Sequence, residues 1–193
     1  YRKHLEPAVE ANMNMVRVWG GGIYETDEFY ALCDSLGIMV WQDFIFACTM
    51  YPSEGQLLET MKQEFADNIR RIRNHPSLAL WCGSNELEYS WASKSLRRMN
   101  SPERVEGIWR MYLDQNAAIE AALDTLCPEI CYQPSSPFRG YGKGKSSYEG
   151  DYHSWSVLGG SRPVEYFEKC RARFFSEYGY ESFDYFESLQ KYA

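Results

Sequence analysis

Leu78-Ala79-Leu80-Trp81-Cys82-Gly83-Ser84-Asn85-Glu86 is a short apolar run that ends abruptly in an amide and an acid. Five consecutive apolar residues suit a strand covered on both faces, as in a parallel sheet. The run follows Asn74-His75-Pro76, where proline disfavours helix in the residue before it. Upstream, Leu57, Leu58, Met61, Phe65, Ile69 and Ile72 recur at helical spacing, so a helix opening at Ser53 is expected to lead into that strand.

The same alternation extends in both directions. Leu5 and Val9 suggest a first helix, and residues 13–19 (Met-Asn-Met-Val-Arg-Val-Trp) form the next expected strand. A helix capped by Thr26 or Asp27 should run to Leu36 and stop at Gly37, before a strand over 38–43. Downstream the expected order is a helix over 102–124, a strand over 130–133, a strand over 151–157, a helix over 164–170 and a strand ending at Glu177. A Gly/Ser/Pro-rich loop over 134–150 is expected to lie across the mouth of a site. Apolar strands alternating with helices predict an α/β fold, either an open doubly wound sheet or a (β/α)8 barrel. Gly20-Gly21-Gly22 follows a strand but continues neither nucleotide-binding fingerprint, and a tight turn is the simpler reading.

Bulk properties narrow the function. With 27 acidic and 20 basic residues the net charge is −7, which disfavours nucleic acid and anionic membranes as partners. No apolar run reaches the ~20 residues of a membrane span. Tyr1-Arg2-Lys3-His4 leads into a helix, not a secretory leader, and without an initiator Met the chain reads as an excised piece. Six cysteines show no C-x-x-C pair and several sit in apolar runs, which leans toward free thiols and a cytoplasmic setting. The three histidines are scattered, so neither a catalytic metal nor a cofactor is expected. Aromatic residues make up 16% of the chain, enough for a core rich in rings or for a sugar site.

Polar groups gather where the six proposed strands end: Arg17 and Trp19, Asp43, Asn85 and Glu86, Gln133, His153 and Trp155, then Glu177. In a barrel that edge carries the chemistry. Glycoside hydrolysis needs a carboxylic acid and a carboxylate flanking one bond, and Glu86 and Glu177 are candidates. Each could equally cap a helix or make a structural ion pair.

Specific motifs separate these readings. Asn74-His75-Pro76-Ser77-Leu78, Trp81 and Asn85-Glu86 resemble the acid/base signature of glycoside hydrolase family 2. Residues 14–25 (Asn-Met-Val-Arg-Val-Trp-Gly-Gly-Gly-Ile-Tyr-Glu) resemble its β-mannosidase branch, as do Trp41-Gln42-Asp43-Phe44, Ala47-Cys48, Tyr51-Pro52, Gly150-Asp151, His153, Trp155 and Phe175-Ser176-Glu177-Tyr178-Gly179. The likeness covers nearly the whole chain. It departs at Tyr180-Glu181-Ser182, where Gln-Ser is usual, and at Ser154-Trp155-Ser156-Val157-Leu158, where further aromatics are usual.

The resemblance implies a partial (β/α)8 TIM barrel over residues 1–193, holding approximately strands two to seven and truncated at both ends, against ~250 residues for a full barrel. The remaining strands and β-sandwich domains would belong to a parent chain. It implies a retaining exo-glycosidase acting on terminal β-D-mannosyl residues of an oligosaccharide or glycoside, with Glu86 as acid/base and Glu177 as nucleophile. Asn85 would bind the sugar 2-hydroxyl and Arg17 would hold Glu177 ionised, while Trp19, Trp155, His153 and Asp43 would line the sugar. Alternatives are an exo-β-glucosaminidase or another family 2 enzyme, a non-catalytic carbohydrate-binding module, or an inert fragment.

Overall fold

The computed structural model describes residues 1–92, 94–143, 146–179 and 186–191. Four strands, β1 (Met15–Val18), β2 (Met39–Asp43), β3 (Leu78–Cys82) and β4 (Cys131–Gln133), form a parallel sheet in the order β1-β2-β3-β4. β5 (Tyr152–Ser154) and β6 (Phe175–Tyr178) form a separate parallel pair, with His153 in register with Glu177. The helices are α1 (Arg2–Glu10), α2 (Asp27–Leu36), α3 (Gly55–Ile72), α4 (Leu87–Ala92), α5 (Lys94–Met99), α6 (Pro102–Leu126), α7 (Tyr166–Lys169) and α8 (Phe186–Leu189). The architecture is α/β with parallel strands joined by helical crossovers, as the alternating pattern requires.

Local chemistry sets the element ends. Gly37 takes φ +69° and closes α2, a left-handed conformation that costs glycine nothing. Ser101 accepts the Arg104 N–H at 3.3 Å and Pro102 occupies the first turn, so α6 starts where its sequence dictates. α3 buries Met61, Phe65, Ile69 and Ile72 against α6, which presents Tyr112, Ile119 and Leu123. Each such side chain stabilises the fold by roughly 1.5–3 kcal/mol on leaving water.

Three expectations are corrected. Ser53 does not open α3: Glu54 is the cap, and Ser53, fully buried, donates to Gln115 Oε1 at 2.9 Å. The connector after Glu86 contains two short helices, α4 and α5, whose single apolar turn (Leu87, Trp91) is too brief a repeat to announce itself. The strand expected over 151–157 stops at Ser154, because the chain turns back where Gly159 N–H donates to the Trp155 carbonyl at 2.9 Å.

The two sheets face one another around a common rim. Six strands laid flat at ~4.8 Å spacing would hold β1 and β6 roughly 24 Å apart. Yet Arg17 of β1 bonds Glu177 of β6 at 2.8 Å, and Trp41 of β2 stacks on Phe174 with ring centroids 5.8 Å apart. The strand array is therefore curled. Between β4 and β5, side chains bridge the rim: Gln133 Nε2 donates to Asp151 Oδ1 at 2.9 Å, and Ser136 Oγ to Asp151 Oδ2 at 2.6 Å. All six cysteines are unpaired, and no described helix is long and apolar enough to cross a membrane.

Candidate active site

A cleft of about 610 Å³ opens at the C-terminal ends of the strands, lined by Arg17, Trp19, Cys48, Asn85, Glu86, Trp155, Ser176, Glu177 and Tyr178. Residues from five separate segments meet there, and Glu86 and Glu177 share its floor. Facing oxygens of the two carboxylates and the nearest imidazole nitrogen of His153 all lie within 4.8 Å of one another.

Backbone geometry aims Glu86. Beyond β3 the chain continues as Gly83-Ser84-Asn85, with Asn85 N–H donating to the Phe46 carbonyl at 2.8 Å and Glu86 N–H to the Ser136 carbonyl at 2.7 Å. Glu86 itself has φ +58°, a left-handed conformation that a glutamate takes only under constraint. Such strain is characteristic of functional positions, because the surrounding structure must hold it. Ala47 and Ser136 bridge Asn85 from either side and supply that constraint.

Arg17 organises the opposite wall. Its Nη1 donates to Glu177 Oε1 at 2.8 Å, its Nη2 to Asp43 Oδ2 at 2.8 Å and to Asn85 Oδ1 at 2.9 Å, and its Nε to Asp43 Oδ1 at 3.2 Å. Asp43 also accepts the Gly20 N–H at 2.9 Å and the Trp41 indole N–H at 2.8 Å. Burial alone would lower the Arg17 guanidinium, but Asp43 beside it more than compensates, and the net shift is upward. Burial pushes Asp43 up as well, against the pull of Arg17, Gly20 and Trp41. The two directions disagree about the cost of the pair; the converging donors on Asp43 decide for the ionised form.

Glu177 is likewise pushed above the ordinary glutamate range, chiefly by burial and further by Glu86, while His153 and Arg17 pull it down. His153 Nδ1 lies 2.8 Å from Glu86 Oε1 and 3.3 Å from Glu177 Oε2. Arg17 supplies positive charge beside this cluster, and His153 Nδ1 is within reach of an oxygen of each carboxylate.

Trp19 and Trp155, each about two-fifths exposed, flank the cleft. Both rings lie against glycine: a Cβ on Gly21 would sit 1.9 Å from the Trp19 ring, and one on Gly179 would sit 2.2 Å from the Trp155 ring. Of the eight candidates, Glu86, Glu177, Asn85, Arg17, Trp19 and Trp155 reach the cleft wall. Asp43 and His153, expected to touch the sugar, have no exposed side-chain surface and sit behind the wall, bonded to the residues in front of them. None of the described residues of the 134–150 loop, expected to lie across the mouth, lines the cleft; Ser135 and Ser136 are buried just beyond β4, and Gly142 N–H donates to Glu88. The triglycine segment is a turn, with Gly22 N–H on the Trp19 carbonyl at 2.9 Å and Gly20 packed against the Phe46 backbone. Tyr180-Glu181-Ser182 lies outside the described residues.

Sequence reasoning did not single out Ser136 or Ser176 and assigned Asp151 no role. Ser136 was hidden in a loop-like composition, and Asp151 was visible only as part of a motif.

No protein-family model matches the chain. Its relatives are clear nonetheless. β-Mannosidase of Rattus norvegicus is 39% identical over 201 residues, covering 97% of this chain and 22% of the rat protein. β-Mannosidase B of Emericella nidulans is 36% identical over 209 residues, covering all of this chain and 24% of the fungal protein. Among solved structures, β-D-mannosidase of Dictyoglomus thermophilum superposes with a TM-score of 0.85 at 39% identity, over 97% of this chain and 22% of that one. The chain thus spans between a fifth and a quarter of the length of the relatives it matches.

Proposed function

We propose, from the premise that this chain is a β-mannosidase-like segment of glycoside hydrolase family 2, that it supplies both catalytic carboxylates of a retaining β-mannosidase. In this reading residues 1–193 form strands two to seven of a (β/α)8 barrel. The parent chain adds the remaining strands and the β-sandwich domains. The observation that carries the chemistry is the closeness of Glu86 and Glu177, whose facing oxygens lie within 4.8 Å on one cleft floor. Retaining enzymes place their carboxyl groups ~5–5.5 Å apart, and inverting enzymes leave ~6.5–9.5 Å for a water.

Glu177 attacks the anomeric carbon as Glu86 passes its proton to the leaving oxygen, giving a glycosyl ester on Glu177. Arg17, 2.8 Å from Glu177 Oε1, favours the carboxylate before attack. Esterification then removes the negative charge of Glu177, and Glu86 can take a proton from water to free the sugar. Asn85 binds the 2-hydroxyl, and the Trp19 and Trp155 rings meet the C–H faces of the sugar.

A panel of nitrophenyl glycosides tests this on the full-length chain carrying the segment. Turnover of the β-D-mannoside is expected, with Glu177→Gln abolishing it. Glu86→Ala should fall by about 10²–10⁴ on a poor leaving group; on a dinitrophenyl glycoside, where release from the ester limits, azide should restore part of the rate as glycosyl azide. Normal activity after either change, or no preference for the mannoside over the glucosaminide, overturns the assignment.

A further inference from the structure

Behind the two catalytic carboxylates lies a chain of polar groups that the mechanism above does not use. Asp151, just before β5 and 5% exposed, accepts the Ser136 hydroxyl at 2.6 Å and the Ser176 hydroxyl at 2.5 Å on Oδ2. Its Oδ1 accepts Gln133 Nε2 at 2.9 Å and the Phe138 N–H at 2.8 Å. Ser136 Oγ then lies 2.9 Å from His153 Nε2, and His153 Nδ1 lies 2.8 Å from Glu86 Oε1.

Counting protons along this chain fixes a tautomer. A serine hydroxyl carries one proton, and a carboxylate only accepts. With Asp151 Oδ2 at 2.6 Å, the Ser136 proton points to Asp151, and Ser136 presents a lone pair to His153. Nε2 must therefore carry a hydrogen. In a neutral imidazole that leaves a lone pair on Nδ1, facing Glu86 and Glu177. A lone pair opposed to two carboxylates is repulsive, so a single additional proton must lie between Nδ1 and Glu86 Oε1.

We infer that Asp151 and Ser136 are positioning residues that hold His153 as the Nε2–H tautomer, so that His153 Nδ1 and Glu86 together store the proton the acid step delivers. This rests on the glycosidase reading above. When Glu86 gives its proton to the leaving oxygen, the Nδ1 lone pair is left against a carboxylate. That repulsion is relieved when Glu86 accepts a proton from the attacking water, which returns the pair to its starting state. The opposite tautomer, with hydrogen on Nδ1, would stabilise Glu86 as an anion, leaving less of it protonated to serve as acid and making it a weaker base toward water. Among the described residues the charged groups facing His153 are Glu86 beyond the end of β3, Asp151 just before β5 and Glu177 from β6, with Arg17 of β1 beyond Glu177.

Asp151→Asn tests the inference in the full-length chain. It retains a carbonyl for Gln133 and Phe138, but its amide donates to Ser136 and turns the Ser136 proton toward His153 Nε2. On a poor leaving group kcat/KM should fall about tenfold or more, and on a dinitrophenyl glycoside, which needs little acid assistance, about threefold or less. The alkaline limb of the pH profile should move to lower pH. Ser136→Ala, which leaves Asp151 in place, should act in the same direction and decides the matter if Asp151→Asn does not fold. Equal losses on both substrates with an unmoved alkaline limb would mean a structural role only and overturn the inference. ¹⁵N NMR of labelled histidine, assigned by loss of the signal in His153→Gln, needs no turnover. A protonated-type shift at His153 Nε2 is expected, and an unprotonated one refutes the tautomer. A wild type that hydrolyses no glycoside would sink the function while this second measurement still judged the network.

Discussion

Removing Asp43 should expose how much of the fold's stability is committed to holding Arg17. Asp43 is fully buried and receives two bonds from the guanidinium, one from Gly20 N–H and one from the Trp41 indole. Truncating one partner of a buried ion pair costs about 3–5 kcal/mol, because a charge is left without compensation. Here Arg17 retains Glu177 and Asn85, which sets the electrostatic part at the low end of that range. Two neutral donors are orphaned as well, at about 1–3 kcal/mol each when no water replaces the acceptor. The space left by the carboxylate admits water beside the cleft and recovers part of this, so Asp43→Ala should cost about 4 kcal/mol. Arg17→Met strands the Asp43 charge and should cost a similar amount. The double variant strands neither, so its loss should fall short of the sum by about 2 kcal/mol or more. Pulse proteolysis across a urea gradient measures each midpoint. A loss under about 1 kcal/mol for Asp43→Ala, or strict additivity in the double variant, would refute the argument.

Two other outcomes follow from single contacts. Gly179→Ala places a methyl 2.2 Å from the Trp155 ring, which is free to swing into solvent; KM should rise several-fold with stability changed by about 0.5 kcal/mol or less, measured by steady-state kinetics and thermal melting. Glu88, fully buried, is pushed above the ordinary glutamate range by burial, against the pull of the Gly142 N–H and the Tyr112 hydroxyl. A raised folded value means the charged form is the costly one, so the penalty is absent below the unfolded value of about 4.3 and grows as pH rises through the folded value. Glu88→Gln keeps an acceptor for Gly142 N–H and should therefore stabilise the protein at neutral pH, the gain vanishing near pH 4 in thermal melts. A gain that persists at pH 4 contradicts this.

The frame was legible because its signals are local. The apolar run at 78–82, the helical spacing of Met61, Phe65 and Ile69, and the glycine at 37 each act within a few residues, and each lies where the pattern puts it. Glu86, Glu177, Arg17 and Asn85 were legible through motifs, and they meet in one cleft. What escaped depends on distant neighbours. Asp43 ends its strand as a sugar ligand would, yet Arg17, Gly20 and Trp41 together bury it, and no spacing in the sequence encodes that convergence. Ser136 sits among Pro134, Ser135 and Pro137, a composition typical of exposed turns; only the approach of Asp151, 15 residues on, makes its hydroxyl part of a network.

The bond between Arg17 and Glu177 joins residues 160 positions apart. On a chain emerging from the ribosome, β1 through β4 can assemble long before residue 177 exists, since domains fold as their sequence becomes available. Until β6 arrives, Arg17 and Asp43 have each other but the cleft lacks Glu177. Errors in this docking step would leave the β1–β4 sheet formed with Glu86 and Glu177 apart, so secondary-structure content would not report them. Recovery of the proposed activity during refolding of the full-length chain should accordingly lag behind recovery of helix, by the time needed to close this 160-residue loop.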